Sequence, residues 1–255
     1  MHPELLRIHL GGPFGDHPIN SYGVMIIVGV AVGILVSVRR AGRYGIERFD
    51  ELAVGLLAFG GGIAGAVGLY VIVHFREFLA EPERFKSPGL VFYGGLVGGA
   101  LAAWLYCRAY RVSLARAADA GAPGLALGHA FGRVGCLLGG CCYGRAADDS
   151  WPFAVELWGE RRHAVQLYEA AGLVAISLAT ALLGSRLRSR PGALFTVYLG
   201  AYAALRIVTE YYRGDDYERG RYLGLSTSQL LAAVALVAAA LLLTRLKRKE
   251  LVDGG

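Results

Sequence analysis

Seven apolar stretches, each long enough to cross a bilayer as a helix, alternate with short polar connections along this chain. They run over about 20–38, 52–75, 89–107, 117–139, 165–184, 192–212 and 227–244. A hydrocarbon core about 30 Å thick needs roughly 20 apolar residues in a helix, so each stretch qualifies by length. The pattern predicts an all-α membrane protein of seven transmembrane helices, with residues 1–255 forming a single integral membrane domain. The fourth stretch is the least apolar, because Asp119, His129 and Arg133 lie within it. Composition agrees: 55 % of the residues are hydrophobic and only 18 % charged, against about 25 % charged in a soluble domain. The N-terminal segment lacks a basic region followed by an apolar core and a small-residue cleavage site, so the first span itself is expected to direct insertion.

The net charge of +6 does not point to nucleic acid, because the basic residues sit in the connections between spans. Arg39, Arg40, Arg43 and Arg48 follow the first span, and Arg108, Arg111 and Arg116 the third. Arg186, Arg188 and Arg190 follow the fifth, and Arg245, Lys247, Arg248 and Lys249 form a basic tail. Before the first span there is only Arg7. Lys and Arg are enriched on the cytoplasmic side of membrane proteins. The bias predicts a periplasmic N-terminus and a cytoplasmic C-terminus.

With seven spans, the helix ends alternate between the two faces, and the polar residues can be assigned to one of them. Asn20, Ser21 and Tyr22 open the first span, and Tyr93 lies in the first turns of the third. Arg133 and three cysteines close the fourth. His163, Gln166, Tyr168 and Glu169 open the fifth, and Arg206, Glu210 and Arg213 close the sixth. Ser226, Thr227, Ser228 and Gln229 open the seventh. All fall on one side, which is the pattern of a polar site opening near one leaflet. An arginine at membrane depth costs roughly 3 kcal/mol or more unless it is paired or lines a polar cavity.

Arg206 and Glu210 are four residues apart and share a helix face, with Arg213 one turn further on. A plain ion pair would let an arginine sit in a membrane helix. A phosphate-binding arginine held by a carboxylate would look the same, since the guanidinium fork suits phosphate oxygens. Arg133, on another span but the same side, tips the balance towards a phosphate, and a phospholipid headgroup is the obvious anion. The glycines of GGGIAG (60–65) and GGLVGG (94–99) have the small-xxx-small spacing of close helix packing. Gly94 and Gly95, directly after Tyr93, could also open a lipid entrance.

The cysteines are Cys107, Cys136, Cys141 and Cys142. Cys107 reads as a small buried residue. The other three form a candidate thiol site at the end of the fourth span. Small residues packing beside glycine, catalytic thiols and a Cys136–Cys141 disulfide all remain open readings. The spacing lacks the paired CxxC of zinc sites, so no metal is expected.

The ordered set Tyr22-Gly23, Tyr93-Gly94-Gly95-Leu96-Val97-Gly98, Gly132-Arg133-Val134-Gly135, Gln166-Leu167-Tyr168-Glu169 and Gly192 through Arg213 resembles the bacterial prolipoprotein diacylglyceryl transferases. The resemblance implies seven spans in the bacterial inner membrane, with the active site towards the periplasmic face. It implies transfer of the diacylglyceryl group of phosphatidylglycerol to the thiol of a lipobox cysteine, in the signal peptide region of a prolipoprotein. Glycerol phosphate leaves, and no metal or organic cofactor is needed. The partners it implies are phosphatidylglycerol, prolipoprotein signal peptides and the lipid bilayer, with no nucleic acid.

Combined with the residue reading, the resemblance suggests roles. Arg133 and Arg206 would hold the phosphate and stabilise the leaving group, Glu210 would orient Arg206, and Tyr93 would complete the catalytic set. Tyr22, Gly94, Gly95, Gly132, Gln166, Tyr168, Glu169 and Arg213 would bind substrate. The chain also departs from the family pattern. Tyr93 stands where the family has the histidine of HGG, and tyrosine is ordinarily the weaker base at neutral pH. Cys136, Gly139 and Cys141 replace Asn, Asn and Glu, Val67 replaces an arginine, and His163-Ala164 replaces His-Pro. Two alternatives therefore stand beside the family reaction. One is a related membrane transferase with a changed donor or acceptor, and the other a non-catalytic phospholipid-binding protein.

Overall fold

The computed structural model describes residues 4–9, 16–80, 91–157, 159–214, 221–222 and 225–253. Seven long helices dominate it: α1 (Ser21–Ala41), α2 (Arg48–Val73), α4 (Phe92–Ala109), α5 (Leu114–Leu138), α6 (Val165–Leu187), α7 (Ala193–Glu210) and α8 (Thr227–Asp253). A short helix, α3 (Phe75–Ala80), follows α2. Each expected span falls on one of the long helices; residues 89 and 90 of the third lie outside the described residues. By length and composition, five long helical stretches can cross a membrane: Ser21–Tyr44, Arg48–Val73, Val165–Leu187, Ala193–Glu210 and Ser228–Leu246. The helices α4 and α5 are not among them. Glycines, tyrosines and Arg108 dilute α4, and Asp119, His129 and Arg133 dilute α5.

The all-helical expectation needs one amendment. Three two-stranded antiparallel sheets occupy the connections: β1 (Glu4–His9) with β2 (Asp16–Asn20), β3 (Ala154–Leu157) with β4 (Glu160–His163), and β5 (Arg221–Tyr222) with β6 (Leu225–Ser226). They give polar backbone between helices its hydrogen-bond partners. In the middle hairpin Ala154 pairs with His163 and Leu157 with Glu160, and Ala146 and Gly144 extend the pairing to Arg162 and Arg213.

The chain packs as two compact units, one of Met1–Val36 with Ala122–Gly255 and one of Ser37–Gly121. In the second unit α2 and α4 meet along a glycine seam. A Cβ on Gly65 would strike the Gly94 carbonyl oxygen and come within 2.9 Å of the Gly98 Cα, and one on Gly98 would strike the Gly61 carbonyl oxygen. Only hydrogen at these positions lets the backbones approach so closely. Two polar contacts add to the seam. The Val91 amide donates to the Ala66 carbonyl at 3.2 Å, and the Tyr106 hydroxyl to Asp50 Oδ1 at 2.8 Å.

In the first unit α1 and α5 use the same device. A Cβ on Gly33 would sit 2.9 Å from the Gly124 carbonyl oxygen, and one on Gly29 2.6 Å from that of Gly128. Further along α5, Ala130 packs with Ala170 and Leu173 of α6, backed by Val134, Tyr202 and Leu205. This contact holds the polar ends of α5, α6 and α7 together. The start of α8 is fixed by a reciprocal cap. The Gln229 amide donates to Ser226 Oγ and the Ser226 amide to Gln229 Oε1, each at 3.1 Å. That is the capping-box arrangement, with Gln in the third position.

The seam makes a sharp distinction among the glycines of α2 and α4. Gly98→Val should lower the melting temperature of the detergent-solubilised protein by an amount corresponding to roughly 1–3 kcal/mol of overpacking. Gly68→Ala, at a position where a Cβ meets nothing, should leave it unchanged or raise it. Thermal unfolding followed by circular dichroism compares the two.

Candidate active site

A single carboxylate organises the polar end of the first unit. Glu169, in the second turn of α6, is fully buried. Its Oε1 lies 3.0 Å from Arg133 Nη2 of α5 and 3.4 Å from Arg206 Nη1 of α7. Its Oε2 lies 3.9 Å from Nη1 of Arg213, just beyond α7. Arg206 also pairs with Glu210, Nη2 to Oε2 at 2.8 Å, as their four-residue spacing predicts, and donates to Ser228 Oγ of α8 at 3.3 Å. The arginine side chains are largely withdrawn from the surface, with 15 % of Arg133, 11 % of Arg206 and 2 % of Arg213 exposed.

Among the described residues, three guanidinium groups converge on Glu169, and Arg206 is shared with Glu210. The buried Nε of Arg133 has no hydrogen-bond partner among the described residues. Buried guanidinium groups with a donor to spare have the chemistry that suits an anionic oxygen. Sequence reasoning placed Glu169 among the substrate-binding residues and gave the pairing role to Glu210. In the structure Glu169 is the shared centre, and Glu210 serves Arg206 at its edge.

The remaining candidate residues have distinct surroundings. Tyr22, partly exposed, covers Gly135 on the last turns of α5, and Gly132 faces Ile26. Gln166 is buried and its Nε2 donates to the Cys141 carbonyl at 2.8 Å, so it holds the loop after α5. Tyr168 belongs to an aromatic cluster with Trp151, His163 and Tyr212. Its hydroxyl accepts from Trp151 Nε1 at 2.8 Å and lies 3.3 Å from His163 Nδ1. Burial and the neighbouring Arg145 guanidinium push the His163 imidazole below its ordinary pKa.

In the second unit Tyr93 opens α4 with a half-exposed ring against Phe92. Gly94 belongs to the α2–α4 seam and Gly95 lies beside it: a Cβ there would sit 3.3 Å from the Gly62 carbonyl oxygen. Both glycines therefore have a packing reason to be glycine.

The loop after α5 gathers the cysteines. The chain reverses at Gly140, which takes a left-handed conformation at φ 72°. The Cys141 amide then donates to the Cys136 carbonyl at 3.0 Å. Downstream, Gly144 passes so close to His163 and Tyr212 that any Cβ would collide. All four thiols are free, and the sulfurs of Cys136, Cys141 and Cys142 lie within 4.8 Å of one another. Hydrogen bonds from Cys136 and Cys141, with Arg213 and Arg133 nearby, hold the Cys142 thiol well below its ordinary pKa. The three cysteines expected as one thiol site do come together, and the reversal at Gly140 is what brings their sulfurs so close.

The family model for prolipoprotein diacylglyceryl transferase matches residues 12–245. This chain belongs to the prolipoprotein diacylglyceryl transferase family. Among curated members it is similar to the phosphatidylglycerol–prolipoprotein diacylglyceryl transferase of Clostridium tetani, with 31 % identity over 86 % of this chain and 90 % of the relative. The protein of that name from Dehalococcoides mccartyi is 30 % identical over 94 % of each chain. Phosphatidylglycerol–prolipoprotein diacylglyceryl transferase 2 of Clostridium perfringens is 32 % identical over 96 % of this chain and 98 % of its own. On α5, Arg133 of the arginine centre lies one helical turn before Cys136.

The shared role of Glu169 has a measurable consequence. Glu169→Gln removes the carboxylate common to three buried arginines and should destabilise the protein by roughly 3–5 kcal/mol. Glu160→Gln breaks a partly exposed pair with Arg162 and should cost about 0–1 kcal/mol. Melting temperatures of the two variants in one detergent test the contrast.

Proposed function

We infer that this protein transfers the diacylglyceryl group of phosphatidylglycerol to the lipobox cysteine thiol of prolipoproteins, releasing glycerol phosphate. The observation that carries the reading is the convergence of Arg133, Arg206 and Arg213 on Glu169, with the buried Arg133 Nε without a partner among the described residues; family membership supplies the reaction. The thiol sulfur attacks the glycerol carbon that bears the phosphodiester. A C–S bond forms, the C–O bond breaks, and the electron pair leaves on the phosphate oxygen. The phosphodiester carries one negative charge and the departing monoester approaches two. A centre of three converging arginines therefore binds the developing leaving group more strongly than the substrate, which is the condition for lowering the barrier.

Arg133 and Arg206 hold the phosphate and Glu210 orients Arg206. Arg213 adds charge, and Glu169 fixes all three arginines. Tyr22 and Tyr168 border the headgroup, with Gly132 and Gln166 shaping the turn that carries Arg133 and its loop. Tyr93, with Gly94 and Gly95, belongs to the catalytic and lipid-binding set by its place in the family motif. The protein acts as a single seven-span domain in the bacterial inner membrane, with its site towards the periplasm and its basic C-terminus in the cytoplasm.

Purified protein given phosphatidylglycerol and a lipobox peptide should release glycerol phosphate and yield thioether-modified peptide. Arg133→Ala and Arg206→Ala should each reduce turnover by at least roughly 10²-fold while the protein remains inserted and monodisperse. Headgroup release without peptide modification would instead indicate a different acceptor, and phospholipid binding without release a non-catalytic role. For topology, a reporter enzyme active only in the periplasm should be silent when fused after residue 253 and active when fused ahead of residue 20.

A further inference from the structure

Cys136 lies on the last turns of α5, and Cys141 and Cys142 follow the reversal at Gly140. Their three sulfurs form a triangle with no edge longer than 4.8 Å. A metal–thiolate bond of about 2.3 Å places neighbouring sulfurs roughly 4 Å apart around one ion, which modest side-chain rotation provides here. The triangle is held from both sides. Cys141 is tied to the Cys136 carbonyl through its amide, and its own carbonyl to Gln166. Beyond Cys142, the Arg145 amide donates to the Tyr212 carbonyl and the Gly214 amide to the Tyr143 carbonyl.

Cys142 itself has φ 59°, left-handed for a residue that carries a Cβ. That conformation costs roughly 1–2 kcal/mol and ordinarily selects glycine. A thiol in a glycine position, aimed at two other thiols, indicates that the sulfur is needed there. A disulfide would use two of the sulfurs and strand the third, whereas one thiophilic cation uses all three. Cys136 is buried and Cys141 exposed, so the triangle has a closed side and an open side. Three protein ligands with one open position is the arrangement of catalytic zinc.

We propose that Cys136, Cys141 and Cys142 bind one thiophilic divalent cation of the zinc class, whose fourth position receives the acceptor thiol. The second half of this proposal rests on the transfer reaction above; the metal site itself does not. A thiol entering the fourth position loses its proton to solvent and is held as a thiolate, and the thiolate displaces phosphate from the glycerol carbon with no change of oxidation state. The ion thereby does the deprotonation of the acceptor thiol. Arg133 stands one helical turn from Cys136, so the activated sulfur and the phosphate grip occupy one neighbourhood. Arg133 and Arg213 also act electrostatically on Cys142, which offsets the net negative charge of three thiolates around a divalent ion.

The full chain, purified in detergent under reducing conditions and stripped of metal, is titrated with Co²⁺. One equivalent should produce thiolate-to-cobalt charge-transfer absorption. Cys136→Ser should weaken binding by at least roughly 10- to 100-fold. Cys142→Gly should do the same while relieving the left-handed strain, so its loss of metal cannot be attributed to misfolding. Cys107→Ser should bind as the unsubstituted protein does. Adding a lipobox peptide should intensify and shift the cobalt bands, and the same peptide with serine in place of cysteine should not.

Absence of charge-transfer bands with both Co²⁺ and Cd²⁺, or an intact mass two hydrogens light before reduction, overturns the metal site. Normal cobalt bands that ignore the peptide overturn thiol activation, as does full transfer by metal-free protein; either result leaves the transfer reading standing. Cobalt and peptide binding as expected, with no glycerol phosphate released by the zinc-loaded protein, overturns the transfer reading and leaves the metal site in place.

Discussion

The whole polar end of the first unit depends on one buried carboxylate. Three arginines on two helices and a following turn cannot be placed at membrane depth without a shared counter-charge, and Glu169 supplies it from a third helix. Removing a single charge from such a cluster leaves the others buried and uncompensated, which is far more costly than losing an exposed pair. The same cluster keeps a buried donor in reserve, since the Nε of Arg133 has no hydrogen-bond partner among the described residues.

The carboxylate can do this only because the helices carrying its partners are brought close and held in register. The first unit achieves this with glycine contacts between α1 and α5 and with the small apolar core of Ala130, Ala170 and Leu173. The second unit repeats the device along α2 and α4. Between apolar helices in lipid there is little hydrophobic force, so close backbone approach supplies the cohesion. The glycine in each seam is thus a packing residue, and Gly94 is explained by that role before any contact with lipid is invoked.

Much of this was legible in the residues. The seven long helices follow from the apolar stretches, and the Arg206–Glu210 pair from its four-residue spacing. The arginines, Glu169, Gln166 and Tyr168 were all identified as polar residues at one end of the bundle. Their division of labour was less visible. Gln166 serves the cysteine loop and Tyr168 an aromatic cluster, because each depends on a loop that passes from α5 back across the β3–β4 hairpin. The hairpins themselves were missed, since strands of two to six residues leave little periodic signal beside spans of twenty.

What the sequence determined by itself is the membrane character, the number and places of the long helices, and the chemistry gathered at their ends. These follow from hydropathy and spacing along the chain, and local order is enough to read them. The tertiary structure alone decided which carboxylate is the centre and how closely the sulfurs of the expected thiol site approach. Both are matters of convergence between residues far apart in the chain or separated by a reversal. Glu169 meets arginines from α5 and α7 only when three helices pack, and Cys136 meets Cys141 and Cys142 only because Gly140 adopts a left-handed turn.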